Sequence, residues 1–274
     1  MTRRPLGPRP KPLPLSNRLL SFFLQAPFFF ASTAFFGSLS LAASLFEKDG
    51  KVQHRIAQAW GRASVAISGC PVTILGEENL RKHPVAVYTC NHLSYADTPV
   101  IFASMPVQFR IVARHDLWKL PFIGWHLRRS GQVPVNVDNP RASISSLGSA
   151  VKTLKSGMPL FIFPEGGRTQ SGHPNAFLNG PAFMAIRARV PIVPMALIGT
   201  HELLPIHTAE FYPVPLTLAV GEPIDTADYS PRQVDELTNR LSDAICRLYY
   251  AHSYLEAPAQ PSLEAITEIP ENAV

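Results

Sequence analysis

Two polar clusters in this sequence carry residue types that can do chemistry. The first is Asn91-His92-Leu93-Ser94-Tyr95-Ala96-Asp97, and the second is Pro164-Glu165-Gly166-Gly167-Arg168-Thr169. A histidine held by an aspartate is a candidate general base. The carboxylate fixes one imidazole nitrogen and leaves the other free to accept a proton. On a continuous helix, five residues would set the two side chains about 140° apart, so contact between His92 and Asp97 requires a turn. No serine or cysteine nucleophile is obvious beside the pair, so the proton would come from a substrate hydroxyl. A plainer reading stands next to this one: Asp97 caps the helix that follows, and His92 is a turn residue. In the second cluster, Gly166 and Gly167 permit close backbone approach and positive φ. Their N–H groups suit an anion, and the Arg168 guanidinium matches two phosphate oxygens. Glu165 suits a substrate hydroxyl or the arginine itself. The plainer reading here is a glycine hairpin with a surface arginine.

Both clusters follow apolar runs that read as strands. Such runs are Val85–Cys90, Phe109–Ala113, Val133–Val137, Leu160–Phe163, Ile192–Ile198 and Leu216–Val220. Helical spacing marks Thr98–Ala103, Ile123–Arg129, Ala142–Lys155, Pro181–Arg189 and Pro231–Tyr250. The alternation predicts an α/β fold with a largely parallel or mixed central sheet flanked by helices. In such sheets, sites form where strands end and helices begin.

The 274 residues are 46% hydrophobic and 16% charged, which excludes a disordered chain. Cys70, Cys90 and Cys246 are too few and too scattered for a disulfide framework or a metal cluster. The net charge is +5, and Arg3, Arg4, Arg9, Lys11 and Arg18 directly precede an apolar stretch. That placement favours a membrane surface over nucleic acid as partner. From Leu19 to Phe46 no residue is charged. A straight helix of that length would measure roughly 42 Å, against a hydrocarbon core of about 30 Å. With Pro27 inside it, the stretch reads either as one membrane helix or as a re-entrant hairpin. The expected organisation is a basic, Pro-rich disordered arm over 1–18, a membrane-associated helical segment over 19–64, the α/β domain over 65–253 and a flexible tail over 254–274.

The two clusters, in this order, resemble the glycerolipid acyltransferase family, and most of all its bacterial 1-acyl-glycerol-3-phosphate acyltransferases. His92 and Asp97 match the family's first motif, a histidine and an aspartate separated by four residues. Phe163 to Thr169 match its third motif, and Val190-Pro191-Ile192-Val193-Pro194 its fourth. A second block resembles Ala113 to Leu117 and Pro121 to Trp125. Gly167 stands where the family usually has Thr or Ser, Arg114 where Lys is common, and Val137-Asp138 where an arginine commonly follows the strand. Arg141 is the substitute nearest to that last position. The resemblance covers roughly residues 65–245.

The resemblance implies transfer of a fatty acyl group from acyl-CoA or acyl-carrier protein to the free hydroxyl of lysophosphatidate, giving phosphatidic acid. His92 and Asp97 would be catalytic. Glu165, Gly166, Gly167 and Arg168, with Arg114, would hold the acceptor's glycerol and phosphate. Neither metal nor cofactor is implied beyond the thioester co-substrate. The expected location is the inner membrane, with the catalytic domain facing the cytoplasm and the apolar stretch dipping into one leaflet as a hairpin. A metal-dependent hydrolase using His92, Asp97, His115 and Asp116 is the alternative from a different class. Trp118 and Trp125 suit an acyl channel or ordinary packing.

Overall fold

The computed structural model describes residues 7–9, 11–47, 49–136 and 140–258, with backbone alone for 140–144. Helices α1 (Leu15–Leu20) and α2 (Ala26–Ala43) run on without a break through a π turn over Ser21–Gln25. In that turn the Ala26 N–H bonds to the Ser21 carbonyl, five residues back. Pro27 has no N–H to give and its ring crowds the preceding turn. The widened turn lets the helix absorb Pro27 without kinking apart. The hairpin expected within 19–46 is therefore not formed; the segment is one helix over Leu15–Ala43.

The reversal comes later, around Gly50, whose φ of 74° opens α3 (Lys51–Ser68). Helix α3 packs on α2, with the Trp60 indole N–H donating to Thr33 Oγ1 at 3.1 Å. It ends at left-handed Gly69, so a domain boundary at 65 would cut this helix. The described part of the expected disordered arm is also anchored. Leu13 is buried, Arg9 donates to the Glu210 carbonyl, and Arg18 pairs with the Glu210 carboxylate at 3.0 Å. Of the expected tail, residues 259–274 lie outside the described residues.

Beyond Gly69 come β1 (Val72–Leu75), β2 (Val87–Cys90), α4 (Asp97–Ser104), β3 (Arg110–Arg114), α5 (Ile123–Arg129), β4 (Val133–Val135) and α6 (Pro140–Lys155). After these follow β5 (Leu160–Ile162), α7 (Gly180–Ala188), β6 (Ile192–Ile198), α8 (Thr200–Leu203), β7 (Leu216–Val220) and α9 (Val234–His252). The strands form one sheet in the order β1-β7-β6-β2-β5-β3-β4. All its pairs are parallel except β6 with β7.

Side chains alternate between the faces of the sheet. Tyr88, Phe161, Val193 and Met195 share a core with residues of α3 and α4. Val87, Leu160, Ile162 and Ile192 share another with α6, α7 and α9. Central strands covered on both faces read as continuous apolar runs, and β2, β5 and β6 are buried at every position.

Candidate active site

The central strands β6, β2, β5 and β3 lie side by side, with Thr89 opposite both Pro194 and Ile162, and Ile162 opposite Val112. Because β2, β5 and β3 run parallel, the segments after them all emerge at the C-terminal end of the central strands. His92 follows β2, Glu165 and Arg168 follow β5, and Arg114 ends β3.

Asn91 locks the first of these turns. Its side chain donates to the Leu197 carbonyl at 2.9 Å and accepts the Leu197 N–H at 2.7 Å, which ties the end of β2 to β6. Ser94 anchors the far side, with its hydroxyl on the Leu204 carbonyl at 2.6 Å. Asp97 opens α4 and is fully buried. Its Oδ2 lies 2.8 Å from His92 Nδ1 and also accepts the N–H groups of Leu93 at 2.7 Å and Ser94 at 2.8 Å. The turn thus brings His92 and Asp97 together, and Asp97 also organises the backbone at the helix start.

The His92 ring stacks on Phe163, with centroids 3.8 Å apart and planes 10° from parallel. Burial pushes the imidazole pKa below its usual value; Asp97 raises it, and Arg168 lowers it further. Burial thus favours the neutral ring over the imidazolium. With Nδ1–H directed at Asp97, Nε2 carries the lone pair, and it has no hydrogen-bond partner among the described residues.

Arg168 donates through Nε to the Ser94 carbonyl at 2.9 Å and lies over the Tyr95 ring, 4.8 Å from its centroid. Gly166 has a φ of +70°, and a Cβ there would sit 2.7 Å from the Leu178 side chain. The left-handed backbone favours glycine there, and a side chain would also have to displace the end of Leu178. Gly167 is exposed with open space around it. Arg114 pairs with Asp116 at 3.3 Å and, with Gly166, Gly167 and Arg168, faces the same cavity as His92.

Glu165 differs from the expectation. It does not line the cavity. Its Oε1 accepts the His92 N–H at 2.6 Å and its Oε2 the Asn175 N–H at 2.8 Å. Desolvation raises its pKa to about 7, opposed by these two N–H groups. Spacing gave no sign of this placement. It also gave none of the Phe163 stack or of Tyr95 beneath Arg168, because all three depend on which strands are neighbours.

The cavity has a volume of about 1520 Å³. One wall is helix α2, through Ala26, Phe29, Phe30, Thr33, Phe36, Gly37 and Ser40. Steps of three and four residues place these side chains on one helix face. Neither Trp118 nor Trp125 lines it. Trp118 packs on the core and Trp125 is exposed. Val137, Asp138 and the side chain of Arg141 lie outside the described residues. Among the described residues, no group of three or more His, Cys, Asp or Glu side chains is placed to hold a metal ion. His92, Asp97, His115 and Asp116 do not converge, and Asp116 turns to Arg114.

The arrangement presents an imidazole, backed by a carboxylate, to a large apolar cavity whose lining includes Arg114, Arg168 and Arg187. Residues 71–198 match the family model described as Acyltransferase. The chain is 30% identical over 188 residues to a 1-acyl-sn-glycerol-3-phosphate acyltransferase of Limnanthes douglasii, a match covering 68% of this chain and 66% of that protein. It is 32% identical over 195 residues to one of Cocos nucifera, covering 70% and 61%. A bacterial protein of that name, from Borreliella burgdorferi, is 25% identical over 186 residues, covering 68% and 74%. The crystal structure of the 1-acyl-sn-glycerophosphate acyltransferase PlsC from Thermotoga maritima has a similar fold. Its TM-score is 0.72 at 24% identity, covering 84% of this chain and 95% of that one.

Proposed function

The chain belongs to the acyltransferase family, and from that premise we propose that it acylates the free hydroxyl of 1-acyl-glycerol-3-phosphate to give phosphatidic acid. The acyl donor is a thioester of coenzyme A or of acyl-carrier protein. The observation that carries this reading is the His92–Asp97 pair at 2.8 Å, with Nε2 open to an apolar cavity large enough for acyl chains.

In the proposed reaction, His92 Nε2 takes the proton of the acceptor hydroxyl as its oxygen attacks the thioester carbonyl. A C–O bond forms, and the tetrahedral intermediate expels sulfur as the C–S bond breaks. The imidazolium returns its proton to the thiolate. Asp97 holds the tautomer and stabilises the imidazolium, the logic of a His–Asp pair in acyl transfer. Arg168 and Arg114, with the N–H group of Gly167, receive the acceptor's phosphate, while the Gly166 N–H stays on the Phe163 carbonyl inside the loop. The reaction needs neither metal nor cofactor beyond the thioester.

Membrane placement belongs to the same reading. Helix α2 turns one apolar face to the cavity, while Phe28, Phe35 and Leu39 stay exposed on other faces. A helix apolar all round belongs in lipid. The exposed Leu120, Phe122, Ile123 and Trp125 continue this surface, since Phe122 abuts Gly37. Lys119, Arg128 and Arg129 beside them match anionic headgroups, at about 1 kcal/mol per cation near a bilayer. The helix lies in the cytoplasmic leaflet, with both the basic N-terminus and the catalytic domain on the thioester side.

The test is acyl transfer by the purified, detergent-solubilised chain beside its His92→Ala variant. One radiolabelled acyl group is offered on each carrier, with a panel of lysolipids and glycerol 3-phosphate in EDTA. Acylation of lysophosphatidate, reduced at least about 100-fold in the variant, is expected. Transfer to another acceptor alone would replace the substrate. Transfer from neither carrier would overturn the reaction.

A further inference from the structure

The backbone that carries His92 is held by two carboxylates, Asp97 of α4 and Glu165 of the loop after β5. Three successive N–H groups, those of His92, Leu93 and Ser94, point at them. Asp97 takes the second and third, while Glu165 takes the first at 2.6 Å. The other Glu165 oxygen accepts from Asn175, well along the loop that leads to α7. That loop folds back on its own start, with the Leu178 N–H on the Pro164 carbonyl at 2.8 Å. It is pinned to α9 by the Tyr249 hydroxyl on the Gly172 carbonyl at 2.6 Å. Arg168, on the same loop, makes a second tie to the base turn through the Ser94 carbonyl.

A carboxylate with each oxygen on a backbone N–H, and with neither facing the cavity, is not disposed to bind a substrate hydroxyl or phosphate. We propose that Glu165 is a positioning residue that buckles the acceptor-binding loop to the turn bearing His92, and so fixes the base relative to Arg168. The proposal rests on the reading of His92 as general base. It makes Glu165 act through His92 and not on the acceptor. Misplacement of a reacting group by about 1 Å can cost on the order of 100-fold in rate.

The test uses the full-length enzyme in detergent micelles with lysophosphatidate and acyl-CoA or acyl-carrier protein. Glu165→Gln keeps the size and supplies one acceptor, but turns an NH₂ toward an N–H donor. The expected result is a fall in kcat of about 10- to 100-fold, with KM for lysophosphatidate within about twofold, since uniform substrate binding is untouched. In a His92→Ala background the same substitution should change the residual rate less than about twofold, because its route of action is gone. A rise in KM with kcat retained, or an undiminished effect in the His92→Ala background, would overturn the proposal.

Amide hydrogen exchange provides a readout independent of turnover. Exchange at His92 and Asn175 should accelerate at least about tenfold in Glu165→Gln, and unchanged exchange would also overturn the proposal. If Glu165→Gln does not fold, Glu165→Asp, which keeps the charge on a shorter arm, is read by the same criteria. A wild type that transfers no acyl group speaks against the proposed reaction, while the exchange measurement still decides the buckle.

Discussion

Asp97 Oδ2 lies 2.8 Å from His92 Nδ1 while also accepting the N–H groups of Leu93 and Ser94, so one buried oxygen sets both the tautomer of the base and the turn that carries it. Asp97→Asn removes the charge that stabilises the imidazolium. The expected loss in kcat is about 10²- to 10⁴-fold, the range of a general-base contribution. A lower melting temperature should accompany it, because the buried oxygen serves three donors. Steady-state transfer and thermal melting of the same preparation check this. A variant that keeps kcat within a few fold would remove Asp97 from the mechanism.

Two pKa shifts of opposite sign act here, and for the rate both give a rise with pH. Burial holds His92 below its usual pKa, so its base form persists as pH falls below the ordinary histidine range. Glu165 is raised to about 7, and the ionised form is the one that accepts both N–H groups. The ionisable groups coupled to Glu165 are Asp97 of α4, Cys90 of β2, and Cys246 and Tyr250 of α9. The rate should therefore rise with pH through about 7 as Glu165 ionises. In Glu165→Gln only the His92 limb should remain, at lower pH. For stability, a carboxyl pKa raised on folding means that the native state holds the extra proton. Its contribution is then lost as pH rises from the unfolded value of about 4.3 toward 7. His92, lowered on folding, loses stability as pH falls through its own range. Rate profiles of both proteins between pH 5 and 9 decide the matter, and superimposable acid limbs would contradict it.

Arg168 lies over Tyr95 and touches the Ser94 carbonyl, which leaves its remaining N–H groups for a phosphate. Hydrogen bonds to charged groups contribute about 1.5–3 kcal/mol. Arg168→Ala should then raise KM for lysophosphatidate on the order of 10- to 100-fold. Arg168→Lys should recover part of this, because charge remains while the planar fork is lost. Equal KM values across the three proteins would place the phosphate elsewhere.

Gly61 allows α3 and α4 to touch. A Cβ there would lie 2.5 Å from the Pro99 carbonyl oxygen and 2.7 Å from the Ala103 nitrogen. Backbone atoms cannot step aside like a side chain, so Gly61→Val should destabilise by about 1–3 kcal/mol. Thermal melting reads the effect, and an unchanged transition would show that the helices separate at little cost.

The exposed Phe122 and Trp125 rings, 5.3 Å apart, extend the apolar surface beyond α2. A Leu120→Ser/Trp125→Ser variant, at two exposed residues that do not line the cavity, should float less with anionic vesicles than the wild type. It should keep its turnover of a short-chain lysophosphatidate present as monomers. Flotation at several ionic strengths checks the basic contribution, which salt should weaken. Equal flotation of both proteins at every salt concentration would exclude this face from the membrane contact.

Much of this molecule is legible in the chain itself. The runs Val85–Cys90, Leu160–Phe163 and Ile192–Ile198 announce buried strands because strands covered on both faces need apolar residues at every position. His92 and Asp97 are legible because a turn of a few residues is enough to join them. Edge strand β1 over Val72–Leu75 escaped because it is short and only partly buried. Pro27 suggested a break that the π turn over Ser21–Gln25 absorbs, and helix continuity depends on that local geometry, which no spacing pattern encodes. The glutamate and histidine types were readable, but their relation was not. Glu165 meets the backbone N–H of His92, and every non-proline residue has such a group, so side-chain identity cannot signal the contact. Only the order β6-β2-β5-β3, set by burial of both sheet faces, brings Glu165 beside His92, Phe163 against its ring and Arg168 over Tyr95.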